Sequence, residues 1–271
     1  IFMTDWCGST LLGRALEAAG KVTLYNEPYA FVALASDLRR RAGVPHALFA
    51  RALELSKALF TRGFAGEHGG LVKEQPATNL IAQQLLLGQR PARAIFLFDS
   101  LPNYLASMLK DDYRRSYTRE RVLSYLELDR TPLLDGQALA KLQLADAEVG
   151  ALHYLHQLAL IARVLSSDAA PRLWLLRSRE LFADMRAALV QATSALELAL
   201  DEASLEQTLG SDVVATHSKA SDRRFGVDTR ERELAAARAA HGAEIAQGLT
   251  WARRALQRVP ELQRFSADVE G

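Results

Sequence analysis

The sequence predicts an α/β fold: a parallel sheet flanked by helices, with a helical insertion or lid over residues 112–168, in one domain spanning residues 1–271. Three observations carry this. Short apolar runs alternate with segments of helical periodicity, the pattern that strand-helix-strand units with right-handed crossovers produce. Ala92 to Phe98 is nearly continuous in apolar residues, as a strand buried on both faces of a parallel sheet requires. The first apolar run ends at Gly8-Ser9-Thr10, where a glycine turn hands a strand to a helix.

In chain order, Ile1 to Thr4 is the end of a buried strand. Leu11, Leu12, Ala15, Leu16 and Ala19 then recur at helical spacing, and Gly20 supplies a stop. Val22 to Tyr25 is a short strand ending at Asn26-Glu27-Pro28, with helices expected from Tyr29 to Arg41 and from His46 to Thr61. Gly70 to Lys73 is a strand, Ala77 to Leu87 a helix, and Pro102 to Lys110 the helix after the core strand. Residues 119–165 are helix-rich. Leu173 to Leu176 is a further strand, followed by helices over Arg179 to Thr193 and Thr229 to Arg258.

Composition excludes some function classes. The net charge of +1 gives no bulk attraction to nucleic acid or to an anionic membrane, so neither is an expected partner. Val149 to Leu165 is interrupted by His153, His156, Gln157 and Arg163, and suits a buried helix better than a membrane span. Cys7 is the single cysteine, so no internal disulfide can form; with no signal peptide recognised, a cytoplasmic, reducing location is the expectation.

Ligands of parallel sheets sit at the carboxyl ends of strands. Cys7-Gly8-Ser9-Thr10, Glu27, Lys73 and the segment Asp99 to Ser107 all fall there, which points to one shared site. At the first turn, free amides of the opening helix, its dipole and two hydroxyls suit a phosphate or sulfate; the alternative is a helix simply capped by Ser9. The turn lacks the glycine-lysine pattern of a Walker loop. Cys7 lies where a thiolate is favoured. Its Cys-x5-Arg resemblance to low-molecular-weight tyrosine phosphatases fails in register, since Arg14 follows six intervening residues, and a small buried cysteine is the preferred reading.

Glu27 is either a general base or a cap for the following helix. Lys73 either stabilises charge on a transferring group or is solvated. Lys219, Arg223 and Arg224, with Ser218 and Ser221, form a basic loop that either binds phosphate or is solvated. His217 is an alternative base. Tyr113, Arg114, Arg115 and Tyr117 either contact a ligand or open a solvated helix. His153 and His156 share a helix face without a His-Glu-x-x-His pattern, so no metal site is expected there.

Gly8-Ser9-Thr10-Leu11-Leu12, a helix, then Val22 to Tyr25 and Asn26-Glu27-Pro28 resemble the opening of sulfotransferases, which use 3′-phosphoadenosine 5′-phosphosulfate (PAPS) and have a P-loop-like fold. The likeness continues as an order of short motifs over about two-thirds of the chain: Leu71 to Pro76, Ala92 to Ser107, Leu173 to Leu181 and His217 to Phe225. It implies sulfuryl transfer from PAPS to a hydroxyl or amine of a small molecule or glycan. Cys7, Gly8, Ser9 and Thr10 would form the cradle for the 5′-phosphosulfate, while Ser107, Lys219 and Arg223 would hold the 3′-phosphate. Lys73 would assist transfer and Glu27 would be the base, as a glutamate is in heparan sulfate sulfotransferases.

Two positions depart from the family pattern. Trp6 stands where the family's loop carries Lys or Arg, and Asp99 where its 3′-phosphate motif begins with Arg. They motivate two alternatives: a nucleotide- or partner-binding protein of this fold without the activity, and an enzyme of this fold acting on another anion.

Overall fold

The computed structural model describes residues 1–41, 45–64, 68–129, 133, 143–217, 220–224 and 227–271, with the backbone alone for 124–129, 214–217, 220–224 and 227. Its strands are β1 (Phe2–Met3), β2 (Thr23–Asn26), β3 (Gly70–Lys73), β4 (Ala94–Phe98), β5 (Leu173–Arg177), β6 (Thr216–His217) and β7 (Ala220–Arg224). The first five pair in parallel, β2 with β3 and β1-β4-β5 in that order. The Glu74 N–H donates to the Ile1 carbonyl at 2.9 Å and joins the edge of β3 to β1. The spatial order is therefore 2-3-1-4-5, and the winding reverses at β1.

Among the described residues the α-helices are α1 (Ser9–Gly20), α2 (Tyr29–Arg40), α3 (Ala47–Phe60), α4 (Ala82–Leu86), α5 (Leu101–Leu109), α6 (Asp112–Asp129), α7 (Asp146–Leu165), α8 (Ser178–Ala183), α9 (Met185–Ala195), α10 (Glu202–Leu209), α11 (Asp212–Ala215), α12 (Val227–Leu256) and α13 (Ser266–Glu270). The chain is thus mostly helical around a small parallel sheet, an α/β arrangement.

Strand alternation sorts the core into two layers. Ile1, Met3, Ile95 and Leu97 face a cluster built with α1, α9 and α10. Phe2, Phe96 and Phe98 face the larger cluster, which includes residues of α2, α5, α7 and α12. Every residue of β4 is buried, as its unbroken apolar run requires.

Four elements differ from their expected form. Gly20 ends α1 as a buried helical residue, and Lys21 takes the left-handed position at φ 49. Pro76 starts a 3-10 segment, Pro76–Ile81, before the short α4. The helix expected from Arg179 to Thr193 breaks at Asp184, whose carboxylate accepts the Ala187 N–H at 2.9 Å and caps α9. The long C-terminal helix bends at His241 (φ −121, ψ 20).

The span expected as an insertion or lid divides into unlike parts. Nearly every residue of α7 is buried, including His153, His156 and Gln157. A helix apolar on all sides belongs to the core, so α7 is a central pillar and only α6 lies toward the surface. Among the described residues no helix is long and apolar enough to cross a membrane.

Candidate functional site

In an open parallel sheet the crevice lies outside the carboxyl ends of the strands where the order reverses. Here that place is the end of β1 with its neighbour β3. Leaving β1, the chain enters the left-handed region at two successive non-glycine residues, Asp5 (φ 73) and Trp6 (φ 46), and again at Gly8 (φ 95). Each non-glycine residue there costs about 1–2 kcal/mol and persists only where surroundings impose it. Trp6 is held by Tyr104 at 5.5 Å and by the edge of Tyr117 at 6.3 Å between ring centres. Position 8 tolerates glycine for two reasons: its φ, and the Phe182 ring, whose Cζ would lie 2.9 Å from an added Cβ.

Gly8 delivers the amino end of the 12-residue α1 to a cleft of about 130 Å³. That cleft is lined by Gly8, Ser9 and Thr10, by Glu27 and Lys73 from the ends of β2 and β3, and by Ser107 of α5. Six residues singled out in the sequence thus share one cavity. The pairing of Asn26 with Lys73 sets this geometry, and the Glu27 N–H continues it by donating to the Lys73 carbonyl at 2.7 Å. Glu27 then turns left-handed (φ 55), and its carboxylate accepts from the Lys73 ammonium. Lys73 is 2% exposed while the Glu27 side chain is 35% exposed, so the ammonium is desolvated and the carboxylate faces the cleft. The Ser9 hydroxyl donates to the Met3 sulfur beneath the cleft.

Cys7 sits apart from this cluster. Its thiol is buried and donates to the Leu97 carbonyl at 3.3 Å. Burial, with Asp5 and Asp99 adding to it, pushes the thiol up to about 12. Desolvation thus outweighs the helix terminus, and Cys7 is the small buried cysteine of the preferred reading, not a thiolate. Lys219 lies outside the described residues; Arg223 falls on β7 of the antiparallel β6-β7 hairpin, and its side chain, like that of His217, also lies outside them.

The two departures acquire partners. Asp99 is buried and ion-paired with Arg230 of α12. Its other oxygen accepts the Ser100 N–H at 2.8 Å and the Asn103 amide at 3.0 Å. Arg230 lies 4.5 Å over the Phe182 ring and lines the cleft, so Asp99 anchors a cation there instead of standing as a free anion. Arg114 lies 5.5 Å over the Trp6 ring, donates to the Ser107 carbonyl at 2.7 Å and pairs with Asp111 at 2.9 Å. A cation thus occupies the Trp6 side of the cleft from α6.

Of the four residues expected to open the insertion, only Arg114 lines the cavity. Arg115 turns to the Leu109 carbonyl and to Glu244. Tyr113 is exposed and stacks on Tyr117. Lys110, paired with Glu233 at 2.8 Å, also lines the cleft and was not foreseen. Its signal was present: it lies three residues after Ser107, on the same helical face. Arg230 and Glu233 carried no such signal, because only the packing of α12 brings them there. Among the described residues, no group of His, Cys, Asp and Glu is arranged to hold a metal ion.

Comparisons with family models, with curated proteins and with solved structures find no match.

Proposed function

We propose that this protein is a sulfotransferase-like enzyme that moves a sulfuryl group from PAPS to a hydroxyl or amine acceptor. The observation that carries the reading is the assembly of Gly8, Ser9, Thr10, Glu27, Lys73 and Ser107, from separate segments, into one cleft at the reversal point of a parallel sheet. The amides at the start of α1 would receive the phosphosulfate, an anion that a helix amino end and its dipole favour. Lys73 would neutralise charge growing on the bridging oxygen as the sulfur-oxygen bond breaks. Glu27, the partner of Lys73, would take the acceptor's proton. Lys110, Arg114 and Arg230 would supply the positive field for the nucleotide's phosphates that Trp6 and Asp99 do not.

Calorimetry with 3′,5′-adenosine diphosphate tests the donor. Micromolar binding that weakens about tenfold in Lys110→Ala supports it, that being the loss of one charge-assisted contact. No binding at millimolar nucleotide removes PAPS from the reading. A transfer assay with Lys73→Met and Glu27→Gln then separates an enzyme from a binder.

A second reading, a nucleotide- or partner-binding protein of the same fold without the activity, is favoured by one observation. Lys73, Lys110 and Arg230 are each already paired with a carboxylate, so an incoming anion must displace Glu27, Glu233 or Asp99. Binding of the nucleotide with no transfer to any acceptor supports that reading.

A further inference from the structure

Two of the cleft's acidic residues, Glu27 and Glu233, have a lysine partner, and Asp99 beside it has Arg230. Asp5 is different. It lines the same cavity, yet among the described residues no Lys or Arg nitrogen lies within ion-pair distance of it. Its basic neighbour is His153 of α7, with Nε2 3.4 Å from the Asp5 carboxylate. Only 13% of the Asp5 side chain is exposed, so its negative charge has lost most of its water.

Asp5 is held where it is. Its left-handed backbone (φ 73) fixes the direction in which the side chain leaves the chain, and the braced Trp6 follows it. Behind it, His153 is 1% exposed and stacks on Tyr104 with the rings 6.1 Å apart and 7° from parallel. The imidazole is thus a fixed support, not a mobile counter-charge. Arg114 and Asp5 interact only at longer range, and the Arg114 guanidinium is already engaged by Asp111 and the Ser107 carbonyl.

A desolvated carboxylate with no Lys or Arg partner among the described residues is a receptor for a cation. We infer that the cleft takes a protonated primary or secondary amine beside its anion, and that Asp5 is the group that receives it; that this amine is the acceptor of the transfer rests on the sulfuryl-transfer reading. A neutral hydroxyl can also donate to Asp5, but a charged donor gains about twice as much from the same geometry. The proton count suits the site. An ammonium must lose one proton before its lone pair can attack sulfur, and a second as the nitrogen-sulfur bond forms and the sulfur-oxygen bond to the phosphate breaks, its electron pair leaving on oxygen. Asp5 takes the first proton and Glu27 the second.

Calorimetry with benzylamine and with benzyl alcohol, each with and without 3′,5′-adenosine diphosphate, tests this on wild type, Asp5→Asn and Glu27→Gln. Asparagine suits the left-handed region, so Asp5→Asn keeps the loop; an unchanged thermal melt checks it. The expected result is that wild type prefers benzylamine by about tenfold, the worth of one charge-assisted contact. Asp5→Asn erases the preference without weakening nucleotide binding, and Glu27→Gln retains it. Equal affinity for the two probes, no binding of benzylamine at millimolar concentration, or a preference that survives Asp5→Asn overturns the inference. The wild-type comparison needs no variant. If benzylamine binds through Asp5 and the nucleotide does not bind, the amine site stands and the sulfuryl-transfer reading falls. If the nucleotide binds and no amine preference is found, only the amine site falls.

Discussion

Removing the Arg230 guanidinium as Arg230→Met tests whether Asp99 is an anchor for α12. Asp99 is 3% exposed, and its partner's side chain is 10% exposed, so neither charge can rely on solvent. Breaking such a pair from one side costs about 3–5 kcal/mol, because a buried charge is left behind. Asp99 keeps two hydrogen bonds, from Ser100 and Asn103, which lowers the expected loss to about 2–4 kcal/mol. In Asp99→Asn, Arg230 keeps its contact with the Phe182 ring and lies 3.4 Å from Glu231, so the expected loss is about 2 kcal/mol. The double variant Asp99→Asn/Arg230→Met leaves no buried charge, and its expected loss of about 2–3 kcal/mol is well below the sum of the singles. Urea unfolding of the four proteins gives a coupling energy of about 2 kcal/mol if the pair acts as described. Single losses that add to within about 0.5 kcal/mol refute it, and with it the claim that Asp99 positions a cation at the cleft.

Cys7 is buried, with its thiol pushed up to about 12, so it resists alkylation by iodoacetamide at pH 8 until the protein unfolds. Labelling of the native protein at the rate of a free thiol contradicts that placement. Glu74 is 3% exposed, one of its oxygens has no hydrogen-bond partner, and burial raises its carboxyl from 4.5 to about 7. A raised carboxyl means the folded state holds the proton more tightly. The folded state is therefore penalised progressively as pH rises from about 4.5 to about 7, by roughly 3–4 kcal/mol once the group is ionised. Glu74→Gln accordingly melts close to wild type at pH 4 and several degrees higher at pH 8; an equal difference at both pH values contradicts the burial account.

The sheet was legible because its strands obey strong local rules. β4 is apolar throughout, β3 follows a glycine turn, and α1 carries its apolar residues on one face. Parallel topology then places the ends of these strands on one edge, which is why Gly8, Glu27, Lys73 and Ser107 group together from the sequence alone. Boundaries set by side-chain capping were not legible. Asp184 ends one helix and caps the next, yet in sequence it is one more polar residue on an amphipathic stretch. The burial of α7 was legible in its apolar run, but its place as a central pillar was not, since only the packing of α5, α6 and α12 against it creates that role. Arg230 is the clearest case, as it pairs with Asp99 across 131 residues of sequence.

The charges of the cleft carry a mechanistic consequence of their own. Trp6 and Asp99 stand where the sulfotransferase pattern the sequence resembles has cations, and Arg114 and Arg230 bring two to the cleft from α6 and α12. Both come with carboxylates attached, Asp111 and Asp99, so each is already paired before an anion arrives. An anion entering at the start of α1 therefore competes with Glu27 for the Lys73 ammonium. Where it wins, Lys73 turns to the anion and the Glu27 carboxylate loses its partner. Arrival of the anion and release of the base become one event. In such a cleft, Lys73→Met weakens anion binding and also frees Glu27 permanently, whereas Glu27→Gln strengthens anion binding while removing the base. Opposite effects of the two substitutions on anion affinity are the signature of this exchange.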